Sequence, residues 1–154
     1  EEEMSKKVST TLIGVSGEYF VAAELSRRGY VASITLRNTR GIDIVASNED
    51  GNKTINIQVK TKRKGVPDWI MSQKAEKITD SNMFYVFVSL YENDEKPEYH
   101  IVPSADVAEY ISTYHKRWLE TPGRGGKMHK DSAIRIWDDP DNTYLDRWDL
   151  LGLD

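Results

Sequence analysis

The chain has 154 residues, 30% of them charged and 38% apolar, with a formal net charge of −4 at pH 7. That length suits a single domain, 1–154, with a sizeable hydrophobic core, and no apolar run approaches the roughly 20 residues needed to cross a bilayer. No basic-then-apolar leader opens the chain and there is no cysteine to form disulfides or thiolate metal sites, so a cytoplasmic protein is expected, and the acidic balance argues against a general nucleic-acid coat.

In chain order, Ser9–Arg28 has helical spacing, with Leu12, Val15, Tyr19, Ala22, Ala23 and Leu25 as the expected inner stripe and Gly29 as a stop. Tyr30–Leu36 reads as a first strand. Ile42–Val45 and Ile55–Thr61 read as a hairpin, because Ile55, Ile57 and Val59 alternate with Asn56, Gln58 and Lys60. A short helix is expected over Ser72–Ile78. Met83–Leu90 is almost continuously apolar, as in a central strand covered on both faces. Tyr99–Val102 reads as an edge strand. Ser104 is the expected cap of a helix whose inner stripe is Val107, Tyr110, Ile111, Tyr114 and Trp118. Thr121–Ser132 is a basic, glycine-rich loop, Ile134–Trp137 a short strand, and Tyr144–Leu151 a last helix docking Leu145, Trp148 and Leu151. The order implies an α/β core over about 9–90 and a C-terminal helical extension over about 99–154. The connection from Thr61 to Met83 is long enough for a parallel crossover.

The hairpin carries the chemistry. Asp50-Gly51 is a strong signal for a tight two-residue turn with φ > 0 at both positions. With that turn, Glu49 faces Asn52 and Asp43 faces Gln58, and Lys60 points to the same side as Gln58. One carboxylate, one amide oxygen and one ammonium then share a face. Asp43, the Gln58 amide oxygen and the Val59 carbonyl are hard oxygen donors suited to magnesium. Lys60 is placed to orient a water or to stabilise charge on a phosphate. Lys62, Arg63 and Lys64 extend a basic run, and Arg37 and Arg40 precede the hairpin, so a local positive patch can sit on an acidic protein. The plainer alternative for Asp43 and Lys60 is a cross-strand ion pair on a solvated face.

Asp43, followed fifteen residues later by Gln58-Val59-Lys60, resembles the motif of the PD-(D/E)XK nuclease superfamily. The resemblance covers about Ser9–Leu90. It implies a restriction-endonuclease-like core, with a central mixed sheet of four to five strands flanked by helices. It also implies a catalytic set of Asp43, Gln58, Lys60 and Glu18, with Asp43, Gln58, Glu18 and the Val59 carbonyl holding magnesium or manganese. Glu18 matches the glutamate that many members carry on the first helix; Glu24 is a weaker match. Two positions depart from the pattern: Ile42 stands where proline is common, and Gln58 stands where Asp or Glu is usual, which removes one negative charge from the metal site.

The function these features imply is metal-dependent endonucleolytic hydrolysis of DNA, with Lys62, Arg63 and Lys64 on the phosphate backbone. The alternative is a catalytically weak or inactive nucleic-acid-binding or protein-interaction module on the same fold. Cutting both strands of a duplex needs two sites, so a homodimer follows from the chemistry rather than from any residue. His100, His115 and His129 have no metal-ligand spacing, and the loop around Gly123–Gly126 matches neither a phosphate loop nor a dinucleotide fingerprint. Trp69, Trp118, Trp137 and Trp148 are expected to pack or dock rather than to stack bases.

Overall fold

The computed structural model describes residues 7–36, 41–92 and 94–154. Helix α1 (Thr10–Arg27) starts at Ser9, whose side-chain oxygen accepts the Leu12 amide at 3.3 Å and so satisfies one donor that a helix start leaves unpaired. Gly29, at φ 90°, ends it. The Tyr30 amide turns back to the Leu25 carbonyl at 3.0 Å, an ending that a left-handed residue permits. The buried face of α1 is Gly17, Val21 and Leu25, while Leu12 (59%) and Tyr19 (64%) are exposed. The stripe expected from the larger side chains is therefore partly wrong, and the reason is close approach. A Cβ on Gly17 would stand 1.9 Å from the Thr61 hydroxyl oxygen, so α1 rests on the sheet through Gly17 together with Val21 and Leu25, and Leu12 and Tyr19 are turned outward.

The strands are β1 (Val31–Ile34), β2 (Ile44–Ser47), β3 (Thr54–Arg63), β4 (Trp69–Ser72), β5 (Met83–Leu90), β6 (Glu98–Pro103) and β7 (Ile134–Trp137). Five of them form one mixed sheet in the order β1-β2-β3-β5-β6. The β3–β5 pair is parallel and the other pairs are antiparallel. β5 is central and buried on both faces, as its apolar run predicts. On one face Ile55, Ile57, Val59, Val86 and Val88 pack with Val21 and Leu25 of α1. On the other, Tyr85, Phe87 and Val102 pack with Trp69, Met71, Trp137, Val107 and Ile111. Val107 and Ile111 belong to α2 (Ser104–Glu120). Ser104 is the first residue of α2 rather than its cap; its hydroxyl donates to the Asp80 carbonyl at 2.8 Å instead.

β4 is an element the sequence pattern does not reveal. It pairs antiparallel with β7 in a separate two-stranded sheet over the second core face. Four residues are too short to show a period, and the partner that makes them a strand is distant in sequence. The short helix expected over 72–78 is a 3₁₀ turn, Gln73–Lys77, capped by Ser72. At the C-terminus the expected helix shrinks to a 3₁₀ turn, Trp148–Leu151. Asn142 and Asp146, both at φ 54°, break the helical path before it. The segment instead runs along β6: the Ile101 amide donates to Tyr144 at 3.0 Å and the Asp146 amide to Tyr99 at 2.8 Å. The extension is thus only partly helical, and the outer edge of β6 is covered. Trp148, Leu151 and Leu153 join the same apolar cluster as α1. No helix among the described residues is long and apolar enough to cross a membrane.

The Gly17 contact gives a direct test. Gly17→Ala drives a methyl group into Thr61, and the Thr61 Cβ lies only 2.9 Å from the added carbon, so the helix itself must shift. The variant is expected to lose about 1–3 kcal/mol of stability despite its better helix propensity, measured by urea unfolding with the wild type alongside.

Candidate functional site

The hairpin pairs Ile44 with Ile57 and Ser47 with Thr54, the register expected from the sequence. The turn that sets it differs. Only Gly51, at φ 71°, is left-handed, and Asp50 is not. The Gly51 amide donates to the Asn48 carbonyl at 3.0 Å and the Asn48 amide to Lys53 at 3.2 Å, so the loop is Glu49–Asn52. It has the same centre as a two-residue turn on Asp50-Gly51, and the register is unchanged.

β2 is four residues long and β3 is ten, so β3 continues past the end of β2. Asp43 sits at that point. The ladder has stopped at Ile44–Ile57, so Asp43 and Gln58 are not a ladder pair as expected. Instead the Asp43 amide donates to the Ile57 carbonyl at 2.9 Å, and the Asp43 carboxylate oxygen Oδ2 accepts the Val59 amide at 2.7 Å. Thr35 holds the approach: its amide donates to the Asp43 carbonyl at 2.9 Å and its hydroxyl to the Ile42 carbonyl at 2.6 Å. Burial pushes the Asp43 carboxyl above the usual carboxylate range, while the Val59 amide and the Lys60 ammonium pull against that rise without cancelling it.

Gly41, at φ 65°, brings the chain over Gln58. A Cβ on Gly41 would meet Gln58 Oε1 at 3.8 Å. Val59 donates from the strand edge facing Asp43, and the carbonyl of a strand residue projects from the same edge as its amide, so that oxygen also points to the unpaired side. Asp43, Gln58, Val59 and Lys60 are therefore brought together. Glu18 is half-buried on α1, one residue past the Gly17 that seats the helix on Thr61; α1 packs on the Ile57 and Val59 face of β3, opposite the face from which Gln58 and Lys60 project, so the structure does not group Glu18 with them. Arg37 and Arg40 lie outside the described residues.

The basic run makes contacts within the protein, and Lys64 is exposed. Lys62 Nζ donates to the Pro67 carbonyl at 2.9 Å and lies 3.9 Å from the centre of the Trp69 ring; burial lowers its pKa, opposed by Asp138, Asp68 and Glu98. Arg63 donates to the Val8 carbonyl. Lys64 is 3.8 Å from Glu95 and 4.3 Å from the Tyr91 ring. These three, with Lys7 and Lys60, line an open cleft of about 550 Å³ between the start of α1, the end of β3 and Val66–Ile70. Lys7 and Val66–Ile70 carry no signal in the sequence, because only the chain's return past β3 makes them walls.

Among the described residues no group of three or more His, Cys, Asp and Glu is placed to hold a metal. The donors at this end of β3, one carboxylate, one amide oxygen and one main-chain carbonyl, are hard oxygens. They fit a magnesium-type ion that retains most of its waters better than a caged structural metal.

No protein-family model matches this chain, and no curated protein does. Among solved structures it is similar to a bacterial homing endonuclease, I-Ssp6803I, over 95% of this chain and 94% of that one, with a TM-score of 0.53 at 18% identity. It is also similar to the Holliday junction resolvase Hjc of Archaeoglobus fulgidus, over 82% and 88% of the two chains, with a TM-score of 0.45 at 15% identity. The likeness to the first is one of fold: this chain has the restriction-endonuclease-like architecture of a mixed five-stranded sheet flanked by helices.

The raised Asp43 pKa makes a stability prediction. A carboxyl whose folded-state pKa is raised costs stability wherever it is ionised, and the cost vanishes once it is protonated in both states. Asp43→Asn keeps an acceptor for the Val59 amide and removes the charge. It is expected to be more stable than wild type at neutral pH, with the difference shrinking as pH falls from the raised folded-state value of Asp43 to its ordinary value and gone below that. Paired denaturant titrations across pH check this; a variant less stable at neutral pH would contradict it.

Proposed function

We propose that this chain is a divalent-metal-dependent nuclease that hydrolyses phosphodiester bonds in DNA. The observation that carries the reading is the position of Asp43: a desolvated carboxylate at the end of β2, beside Lys60 and Gln58 and tied to Val59. A surface ion pair needs no such desolvation, whereas a site that must attract a cation benefits from it. Burial raises the cost of leaving the carboxylate uncompensated.

Asp43, Gln58 Oε1 and the Val59 carbonyl are the groups to hold magnesium or manganese, which when bound polarises a phosphate oxygen and acidifies a bound water. Lys60 supplies a positive charge beside Asp43. Its ammonium donates to a non-bridging phosphate oxygen or holds the attacking water, and so stabilises charge that develops in the transition state. Gln58 contributes an oxygen but no charge. The phosphate of the substrate then supplies part of the negative charge, so metal and DNA are expected to bind cooperatively. A homodimer would present the two sites that double-strand cleavage requires.

The neutral Gln58 also favours a second reading, a module that binds nucleic acid without cutting it. Incubation of purified protein with plasmid, linear duplex, single-stranded and branched DNA in magnesium or manganese separates the two. Metal-dependent cleavage is expected, reduced at least about a hundredfold in Asp43→Ala and in Lys60→Ala. DNA bound but never cut supports the second reading, and cleavage unchanged in Asp43→Ala would assign it to another source. Gln58→Glu is expected to raise DNA-free metal affinity by about tenfold through its added charge, measured by calorimetry.

A further inference from the structure

We infer that Lys62 and Arg63 are positioning residues that clamp the two walls of the cleft over Lys60, and that the cleft's phosphate contacts come from Lys60 and Lys7. The clamps stand on intramolecular geometry alone; the phosphate contacts rest on the nuclease reading. Side chains alternate along β3. Lys60 and Lys62 leave one face, toward β4, and Thr61 and Arg63 leave the other, toward α1. The two consecutive cations therefore reach opposite walls.

The first wall is Val66–Ile70. Trp69 is its fixed point: its indole Nε1 donates to the Val88 carbonyl at 3.0 Å, and its ring meets Phe87 and His100 edge-on at 5.5 Å each. Lys62 lies over that ring and donates to Pro67, which ties the turn after β3 to a buried core residue. The second wall is the start of α1. Arg63 donates to the carbonyl of Val8, immediately before the capping residue Ser9. Each head group commits one of its donors to a carbonyl of the wall it meets and is held in one place by it. Lys60 and Lys7 line the same cleft with no such hydrogen bond or ring contact among the described residues, and Lys7 is exposed. Asp68 is the one carboxylate among the described residues that line the cleft. It contributes to the field on Lys62, which further fits Lys62 to an internal role.

Salt dependence and amide hydrogen exchange together test this. Losing a phosphate contact lowers the slope of log affinity against log salt by about 0.9 on duplex DNA; losing a clamp does not. Lys7→Ala and Lys60→Ala are expected to lower the slope by about one each. Lys62→Met and Arg63→Met are expected to leave it unchanged and to speed exchange several-fold in the DNA-free protein, at 65–70 for the first and at 8–13 for the second. Lys62→Arg, which can still cover Trp69 and reach Pro67, is expected to restore wild-type exchange. A slope lowered by Lys62→Met or Arg63→Met overturns the inference whatever the exchange shows. If the wild type binds no DNA at low salt, the nuclease reading fails, and the exchange data still judge the clamps: unchanged exchange in both methionine variants overturns them.

Discussion

The hydrogen bond from the Val59 amide to the Asp43 carboxylate, 2.7 Å long, is the constraint around which the site is built. β2 begins only at Ile44, one residue after Asp43, so β3 runs on with β5 on one side and no ladder partner on the other. An unpaired strand amide in a half-buried place is costly, and the carboxylate relieves that cost. In doing so it fixes Asp43 beside Lys60 and leaves the Val59 carbonyl on the open edge. A side chain thus replaces the missing ladder partner, and the replacement is what turns a sheet edge into a polar site.

The same placement sets the electrostatics. Asp43 loses water by burial and regains only part of that stabilisation from Val59 and Lys60. An ionised carboxylate left in that state costs stability, a common pattern where function is served at some expense of stability. Gln58 tempers this by offering an oxygen without a second charge. The balance then depends on what a ligand brings, which is the physical basis for expecting cooperation between metal and phosphate.

Around this edge the walls are held by packing rather than by ladders. Gly17 lets α1 press onto Thr61, and a buried Trp69 provides the surface under Lys62. On the far edge the buried His100–Asp139 pair, 2.8 Å apart, and the amides of Thr143 and Tyr144 on the Asp139 carboxylate hold the C-terminal segment against β6. That closes the other side of the sheet and leaves the end of β3 as its open polar edge. The aromatic layer of Phe87, Trp137 and Tyr110 then makes a stiff floor for the second core face.

What the sequence by itself determined is what local chemistry governs. The alternation Ile55, Ile57, Val59 against Asn56, Gln58, Lys60 decided which side of β3 is polar, and Asp50-Gly51 centred the loop, so the register survived even though the turn type did not. The unbroken apolar run Met83–Leu90 marked the central strand. What only the tertiary structure decided depends on partners far along the chain. The buried face of α1 includes Gly17 because Thr61 lies against it, and that rotation leaves Leu12 and Tyr19 outside. β4 exists because β7 pairs with it. The Asp43 carboxylate reaches Val59 because the ladder stops short, and the lysine and arginine after Lys60 are drawn to Trp69, Pro67 and Val8 because the folded chain puts an aromatic ring and carbonyl oxygens within their reach.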